Sequence, residues 1–376
     1  MAELLTNTTD LTKVAAAIRE KGGTSDPLVY PDGFVTAIQA IQIGTELQII
    51  VSVKSGATVT AMKGSKVVSG TSVNNSCTLI VPEAGTWSVK ATLGGQTSDT
   101  KSVTFTDNYA LSLSFVSAVL NDNDWATIKK ISDKGEGANY WSIGDRKAVT
   151  LNGTVGHLTL SNYTTYAFII GFNHNSSLEG SNRIHFQLAK TALSGGKDVA
   201  LCDSSYISYL TTTGYFSMNS SAANSGGWAS SQMRTNICGT SLSSYSGTII
   251  AVIPAALRAA IKSVTKYTDN TGVGSTAASA VTATTDYFFL LSEYEVFGSI
   301  SYANSNEASK QAQYAYYSAG NSAIKYKHDG TSTAAKWWLR SQTASYSYRF
   351  TDVFPSGTVG MGNADFSLGF APGFCV

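Results

Sequence analysis

The sequence predicts a mostly β protein with a few helices, an α+β fold, and three observations carry this prediction. The 376 residues include 34 Gly but only 6 Pro, and Ser and Thr are abundant, which indicates many turns between short strands. Residues 45–107 alternate between apolar and polar side chains, whereas helical spacing recurs in only a few short runs. At ~150 residues per domain the length predicts two or three domains, and hydrophobic residues make up 43% of the chain, enough to bury a core.

The composition also excludes several classes of partner. Charged residues make up 14% of the chain, against roughly 25% in an ordinary soluble protein. The 26 basic and 25 acidic residues leave a net charge of +1, which argues against nucleic acid as a partner. No stretch of 18 apolar residues and no signal peptide are found. We therefore expect that the protein is made in a cytoplasm and does not insert into a membrane. Four widely separated cysteines without a CxxC pair predict neither a disulfide framework nor a zinc site.

Residues 1–43 are predicted to form two short amphipathic helices. Thr9 or Asp10 could cap the first helix, and Gly22-Gly23 would end it. The apolar positions with helical spacing are Leu11, Val14, Ala15, Ile18, Phe34, Ile38 and Ile41. Helices this short bury little surface alone, so they need a partner: a copy of themselves, another protein, or the next domain, which they would then cap.

The same segment carries a resemblance to known proteins. The sequence from Leu11 to Ile38 reads LTKVAAAIREKGGTSDPLVYPDGFVTAI. It resembles a segment at the start of tail-associated proteins of phages and prophages, and the match covers residues 11–41. The resemblance implies that residues 1–43 attach the chain to phage tail or baseplate proteins.

Residues 45–107 are predicted to form a small β-sandwich. Apolar residues recur at every second position, as from Leu47 to Val53, and turn residues separate six or seven short strands. The string VPEAGTWSV, residues 81–89, resembles the late hairpin of immunoglobulin-like modules in surface and tail proteins. We expect Trp87 to lie in the core rather than to form a ligand platform, and the domain to act as a spacer.

Residues 115–376 are predicted to form one large domain. Helical spacing occurs at 125–131, at 254–264 with Pro254 in the first turn, and at 307–317 after Ser305 as a cap. The predicted strands include residues 166–172, 248–253 and 287–291.

Several strings in this domain together resemble a known family. They are WSIGDRK at 141–147, GFNH at 171–174, Met218-Asn219, GGW at 226–228, Met233-Arg234, LLSEYEVFG at 290–298, WWLRS at 337–341 and GFAPGFCV at 369–376. In this order they resemble a C-type-lectin-fold module of gut phage and bacterial proteins, similar to the variable proteins of diversity-generating retroelements. That family shares the formylglycine-generating-enzyme branch of the fold. The resemblance covers roughly residues 120–376.

The bulky and charged residues of these strings have structural interpretations. Trp337, Trp338 and Leu339 are predicted to pack in the core, and Arg340 to pair with a buried acid or with carbonyl groups. Glu293 and Glu295 could act as general acid and base, or could be partners of arginines: Arg340, Arg234 or Arg146.

Catalytic and metal chemistry find little support in the sequence. His174 is interpreted as a turn residue, and Asn121–Asp124 offers oxygen ligands in a row but lacks the Gly and Glu of a calcium loop. No phosphate loop, GxGxxG or GxSxG motif is found. The enzyme of the fold branch uses paired cysteines, whereas Cys375 is penultimate and Cys202 and Cys238 lack matching context. We therefore predict no enzyme, no catalytic residue, no metal and no cofactor.

Residues 342–370 are predicted to form a variable ligand-binding surface. Tyr346, Tyr348 and Phe350 alternate on one predicted face, and small polar residues fill the gaps, a composition typical of antibody paratopes. In the retroelement family, a segment bracketed by similar strings is diversified. The predicted contact residues are Ser345, Tyr346, Ser347, Tyr348, Arg349, Phe350, Phe354, Asn363, Asp365, Phe366, Ser367 and Phe370. Met361 is left out because the usual template codon does not reach it, and burial of the aromatic face is the alternative.

The sequence and its resemblances thus predict a phage tail receptor-binding adhesin in the virion tail. Its partner would be a host cell-surface receptor, protein or glycan, and a homotrimer would raise avidity. The main alternative is a structural tail or baseplate decoration protein without its own receptor site. An enzyme acting on glycans and a bacterial surface lectin are two further alternatives.

Overall fold

The computed structural model describes residues 8–22, 27–30, 32–40, 46–206 and 215–376. The chain divides into two compact units, and the boundary falls between Phe115 and Val116. Strands arranged in several sheets dominate, with short helices between them, so the predicted mostly β, α+β class is confirmed. Within the described ranges, no helix combines the length and the apolar character needed to cross a membrane.

The first unit begins with two helices that pack against each other, α1 (Thr8–Gly22) and α2 (Asp32–Ala40). Their shared core consists of Ala15, Ile18 and Phe34. The helical spacing and the end at Gly22 are confirmed, whereas Thr9 and Asp10 lie inside α1 rather than before it. Gly23 and Ile41, which the prediction also named, lie outside the described residues.

The rest of the first unit consists of short strands. They are β1 (Leu47–Ser52), β2 (Thr58–Lys63), β3 (Lys66–Thr71), β4 (Ser76–Val81), β5 (Gly85–Leu93), β6 (Gln96–Thr97), β7 (Lys101–Phe105) and β8 (Tyr109–Ser112). One sheet has the order β4-β1-β8, and the other has β3-β2-β5-β6 with β7 also paired to β5. The alternation predicted that this domain ends at residue 107. Strand β8 lies beyond that point and still belongs to the sandwich, since it pairs in parallel with β1.

The two sheets share one apolar core, in which Trp87 is fully buried. Its indole Nε1 donates a hydrogen bond to the carbonyl of Glu83 at 3.2 Å. The alternation places Val59 and Ala61 of β2 and Val89 of β5 in the same cluster. The prediction that Trp87 is a core residue is confirmed.

The second unit contains short helices that connect its sheets. They are α3 (Trp125–Asp133), α4 (Gly137–Tyr140), α5 (Ser176–Glu179), α6 (Gly227–Ser230), α7 (Ile249–Val252), α8 (Ala255–Ala260), α9 (Glu293–Phe297) and α10 (Ala315–Ser318). Three 3₁₀ turns lie at Leu120–Asp122, Ala278–Ala280 and Ser305–Ser309, and a π-helix spans Met233–Cys238.

The strands of the second unit follow the same pattern of short segments. They are β9 (Arg146–Val155), β10 (Leu158–Phe172), β11 (Ile184–Lys190), β12 (Val199–Ala200), β13 (Val264–Asp269), β14 (Val281–Asp286), β15 (Phe288–Phe289), β16 (Lys325–Lys327), β17 (Gly330–Ala335), β18 (Trp337–Gln342), β19 (Arg349–Val353), β20 (Val359–Asn363) and β21 (Gly373–Cys375). The sheets have the orders β15-β21-β11-β10-β9, β12-β16-β17, β13-β14 and β18-β19-β20.

The five-stranded sheet forms the centre of this unit. Strand β21 pairs with β11 on one side and β15 on the other, and every residue of β11 is buried. Phe374 of β21 stacks on Phe186 of β11, with ring centroids 5.3 Å apart, and Trp125 of α3 packs edge-on against both rings. Trp337, Trp338 and Leu339 are fully buried, as predicted.

The structure confirms some predicted elements of this unit. Helix α3 covers residues 125–131, and Asp124 caps it by accepting a hydrogen bond from the Thr127 backbone N–H at 2.7 Å. Strand β10 contains residues 166–172. Of residues 287–291, only Phe288 and Phe289 are in a strand, β15.

Other predicted elements were wrong. Residues 248–253 contain helix α7 rather than a strand. The prediction failed because a short apolar run is equally compatible with a buried strand and a buried helix. The predicted helix 254–264 ends at Ala260, and Val264 already begins β13. Residues 307–317 do not form one helix: a 3₁₀ turn and α10 lie there, and Asn304 rather than Ser305 caps the turn.

Candidate functional site

The predicted variable segment, residues 342–370, contains the last residue of β18, the loop 343–348, and strands β19 and β20 of the β18-β19-β20 sheet. In the antiparallel register of β19 and β20, Arg349 faces Asn363 and Thr351 faces Met361. Because side chains of paired residues share a face, Arg349, Met361 and Asn363 lie side by side.

The twelve predicted contact residues differ widely in exposure. The exposed ones are Ser345, Tyr346 and Ser347. The half-buried ones are Tyr348, Arg349, Phe354, Asn363, Asp365 and Phe366. The fully buried ones are Phe350, Ser367 and Phe370.

The prediction was wrong for Phe350, Ser367 and Phe370, because each is committed to the core. Phe370 exchanges two backbone hydrogen bonds with Leu201, at 2.8 and 2.9 Å. The Ser367 hydroxyl donates to the Asp203 carboxylate at 2.8 Å. Strand β19 begins only at Arg349, so the alternation from the tyrosines to Phe350 does not run along one extended segment.

Exposed Tyr346 and four half-buried residues form a compact cluster around a guanidinium group. The Arg349 guanidinium lies 4.6 Å from the ring centroid of Tyr346 and 5.1 Å from that of Tyr348. Its Nε donates to Asn363 Oδ1 at 3.3 Å, and Nη1 lies 3.2 Å from Met361 Sδ. We call Tyr346, Tyr348, Arg349, Met361 and Asn363 the tyrosine–arginine patch. The excluded Met361 therefore belongs to the surface.

No carboxylate of the described residues forms an ion pair with Arg349. The guanidinium nevertheless keeps its position, because two rings and two polar partners surround it. Such a group can pair with an acid or stack on a flat group of a ligand.

Buried Asn224 holds the loop from below. Its Nδ2 donates to the carbonyls of Tyr346 and Arg349, at 2.7 and 2.9 Å. Its backbone N–H donates to the Ser347 carbonyl at 2.9 Å. Its Oδ1 accepts from the Val273 backbone N–H at 2.8 Å. Sequence reasoning missed Asn224; the neighbouring Gly226-Gly227 marks the turn but does not reveal the distant partners.

A buried ion pair lies beneath the same strands. Lys336 Nζ is 2.7 Å from Asp352 Oδ2 and donates to the Met361 carbonyl at 2.9 Å. Burial raises the pKa of Asp352 to about 7, against the opposing effect of Lys336. A Cβ atom at Gly360 would lie 2.5 Å from Asp352 Oδ1, so only glycine permits this close approach.

Glu295 lies in a second buried cluster and does not reach solvent. It forms a bidentate ion pair with Arg340, whose Nη2 is 2.8 Å from Oε1, and also contacts Lys266 Nζ at 2.9 Å. Burial alone would raise the pKa of Glu295, but Arg340 and Lys266 outweigh it and hold that pKa well below its usual range. The prediction that Arg340 pairs with a buried acid is confirmed, and the acid is Glu295.

Glu293 has a different role. It begins α9, where its carboxylate accepts hydrogen bonds from the backbone N–H groups of Tyr302 and Ala303. Arg234 pairs with Asp286 at 2.6 Å, and Arg146 donates to the Ala192 carbonyl at 2.7 Å, so neither arginine uses Glu293 or Glu295.

His174, Glu179 and Glu295 offer ligand atoms within 4.8 Å of one another, a spacing that could suit a metal ion. Lys266 Nζ lies 2.6 Å from Glu179 and 2.9 Å from Glu295, so an ammonium group already supplies the positive charge there. Burial, with Lys266 adding to it, lowers the pKa of His174 to about 3. His174 lies in a turn, as predicted, and its ring stacks on Tyr314.

Asn121–Asp124 directs its oxygen atoms at the backbone. Oδ1 of Asn121 accepts from the Ala148 N–H and Oδ1 of Asn123 from the Ser117 N–H, at 2.9 and 2.8 Å. Asp124 is the cap of α3. The row of oxygens thus fixes local structure.

Cys375 lies beside His185, with Sγ 3.3 Å from Nδ1, and both side chains are fully buried. Burial raises the pKa of the Cys375 thiol to about 12 and lowers the pKa of His185 well below its usual value. At neutral pH the thiol is therefore protonated, the form that is not nucleophilic.

Comparison with known proteins yields one family. Residues 197–376 match a family model described as "Domain of unknown function (DUF6273)". No curated protein and no solved structure matches the chain. The matched segment includes the tyrosine–arginine patch, Asn224 and Arg340, and the similarity assigns no activity to them.

Replacement Glu295→Gln is expected to lower the free energy of unfolding by about 3–5 kcal/mol, because it leaves buried Arg340 and Lys266 short of negative charge. Urea denaturation measures the change. The matched control is Glu136→Gln, expected to change that free energy by less than about 0.5 kcal/mol. The Glu136 side chain is half-buried and forms no ion pair or hydrogen bond among the described residues. Equal effects of the two replacements would contradict the central place of Glu295.

Asp352 is expected to make stability pH-dependent. Its folded-state pKa of about 7 lies above the reference value of 3.8, so the folded protein binds the proton more tightly. As the pH rises, the free energy of unfolding should therefore fall, relative to that of Asp352→Asn, by up to about 1.4 kcal/mol per pH unit. The fall should lie between the two pKa values, about 4 and about 7. Urea denaturation midpoints of the parent chain and of Asp352→Asn, measured across this pH range, test the prediction. Parallel pH profiles of the two proteins would refute it.

Replacement Asn224→Ala is expected to release the loop 343–348, because two carbonyl groups lose their donor. Amide hydrogen exchange of this loop should accelerate at least about tenfold, which corresponds to about 1.4 kcal/mol of lost local stability. The control is Asn152→Ala, since exposed Asn152 accepts only the Asn162 backbone N–H at 3.3 Å. Unchanged exchange of the loop would show that other contacts hold it.

Proposed function

We propose that this protein is a phage tail receptor-binding adhesin that presents the tyrosine–arginine patch to a host cell-surface receptor. The observation that carries the proposal is an exposed aromatic and cationic surface on a loop that a buried side chain, Asn224, fixes in place. Tyr and Arg are the residue types that most often dominate the binding energy of protein interfaces.

The fixed loop suits binding for an energetic reason. A loop that is already ordered loses little conformational entropy when a partner docks on it. Asn224 donates hydrogen bonds to this loop in the free chain. The Ala344 backbone N–H adds a hydrogen bond to the Tyr302 carbonyl at 2.8 Å. Ser345 and Ser347 add small, adaptable polar groups between the tyrosines.

The finer fold assignments belong to the same proposal. Two sheets that share one core around Trp87 support an immunoglobulin-like spacer. The second unit would be a C-type lectin fold of the formylglycine-generating-enzyme branch. The position of β21 between β15 and β11 and the small β18-β19-β20 sheet support this assignment, together with the strings that resemble that family.

Diversification, if it operates as in retroelement variable proteins, would act on the exposed positions. These are Ser345, Tyr346 and Ser347, joined by the half-buried Tyr348, Arg349 and Asn363 beside them. The half-buried Phe354, Asp365 and Phe366 would contribute at the edge. Substitutions at these positions change the surface while the buried frame stays the same.

Attachment to tail or baseplate proteins would use residues 1–43. Among the described side chains of this segment, an apolar set remains exposed: Val14, Val29, Tyr30, Val35 and Ile38. A core of three buried residues leaves the helices in need of a partner, which supports attachment or trimer formation here. Several copies in one virion tail would turn weak single contacts into strong adsorption.

Replacement of Tyr346 or Tyr348 by Ala is expected to slow adsorption of phage particles to host cells at least tenfold, since a central interface tyrosine contributes about 2 kcal/mol. The matched control is Tyr140→Ala: Tyr140 is 39% exposed and Tyr346 is 38% exposed. The adsorption rate constant of purified particles measures the effect, and electron microscopy counts the assembled tails.

Three outcomes would contradict the proposal. Normal adsorption of both variants would show that the receptor binds elsewhere. Failed tail assembly would favour the alternative, a structural tail or baseplate decoration protein whose patch packs on a neighbouring subunit. Substitutions spread evenly over residues 120–376 in sibling sequences, rather than concentrated in the exposed loop, would exclude diversified display.

A further inference from the structure

A pocket of about 450 Å³ opens beside the turn that joins β9 and β10. That turn supplies Gly156 and His157, and the opposite wall comes from the π-helix and the residue before it, Gln232. A π-helix is less stable than an α-helix and is often found at functional sites. The volume lies within the range typical of small-molecule sites.

One wall of the pocket is a flat aromatic surface. The rings of His157 and Tyr215 stack in parallel, with an interplanar angle of 6°. Tyr215 is 48% exposed, so the stack leaves much of its ring open to solvent. Ile237 and Gly156 provide the apolar floor, where a Cβ atom at position 156 would lie 2.9 Å from Ile237 Cδ1.

Neutral polar groups line the other side, with hydrogen-bonding capacity to spare. Ser217 is only 4% exposed, yet its hydroxyl has no hydrogen bond to any other described residue. The side chains of Ser220 and Gln232 likewise have no partner within the described ranges. Asn236 uses Oδ1 to accept from the Thr235 hydroxyl at 3.0 Å and keeps its amide hydrogens available.

We propose that this pocket binds a neutral saccharide. Vicinal hydroxyl groups of a sugar donate and accept hydrogen bonds, as the amide and hydroxyl side chains here also do. The apolar face of a pyranose ring can pack on the Tyr215 ring. The Ser217 hydroxyl has no hydrogen bond to another described residue, so it is available to pair with a sugar hydroxyl.

The lining disfavours a charged ligand. No carboxylate, ammonium or guanidinium group is found among the described lining residues. A charged ligand would lose hydration without gaining a counter-charge. An entirely apolar ligand would leave the amides and hydroxyls unpaired.

This pocket and the tyrosine–arginine patch share no described residue. None of its lining residues belongs to residues 342–370. The inference therefore goes beyond the proposed receptor-binding role, and either can fail without the other.

The test titrates neutral methyl glycosides into the full chain and follows binding by saturation-transfer NMR. The panel comprises the methyl glycosides of glucose, galactose, mannose and N-acetylglucosamine, each at up to about 10 mM, because a single shallow site binds weakly. Sodium glucuronate is the charged comparison. We expect at least one neutral glycoside to bind and glucuronate to bind at least tenfold more weakly.

Variants assign the binding to the pocket. Tyr215→Ala and Gln232→Ala alter exposed side chains and should keep the fold, while weakening glycoside binding at least tenfold. Tyr346→Ala, in the other surface, should leave it unchanged. The proposal is overturned if no neutral glycoside binds, if glucuronate binds equally well, or if both pocket variants bind as the parent chain does.

Discussion

The pairing of Glu295 with Arg340 and Lys266 joins elements of the second unit that lie far apart in sequence. Arg340 comes from β18, Lys266 from β13 and Glu295 from α9, and Glu179 at the end of α5 also contacts Lys266. Transfer of these charges from water into the core costs free energy that their mutual attraction only offsets when every donor finds an acceptor. The Tyr314 hydroxyl accepts from Lys266 at 2.8 Å, and the Leu290 carbonyl accepts from Arg340 at 2.8 Å, so the donors are satisfied. An arrangement of these strands and helices that separated the charges would leave some of them buried and unpaired.

The cluster fixes β18, and β18 leads directly into the patch loop. From Arg340 the strand continues through Gln342, and the loop 343–348 follows. Asp352 and Lys336 constrain the sheet from beneath, and Asn224 holds the loop from the side. The exposed tyrosines therefore stand on backbone that three buried polar groups determine. This division of labour lets surface side chains vary at small cost, because none of the ordering contacts uses them.

Part of this arrangement could be predicted from the sequence. Trp87 and Trp337 were predicted as core residues because bulky side chains in apolar runs are usually buried, and helical spacing at 125–131 predicted α3. Phe350 and Phe370 were misassigned because aromatic residues suit a core and a binding surface equally well, and only the sheet partners decide between them. Asn224 was missed because its partners lie more than a hundred residues away, and single-residue patterns carry no signal of such distance.

The two surfaces of the second unit differ in what sets their chemistry. The side chains of the patch are exposed or half-buried, so substitutions there disturb the core less than substitutions in the buried frame. The pocket combines side chains of a tight turn, of a π-helix and of Ser217, whose backbone is enclosed by the core. Gly156 meets Ile237 so closely that the turn tolerates no larger residue without a shift of the floor. The patch residues and the residues that line the pocket lie on different segments of the second unit, so a substitution in one set leaves the side chains of the other set unchanged.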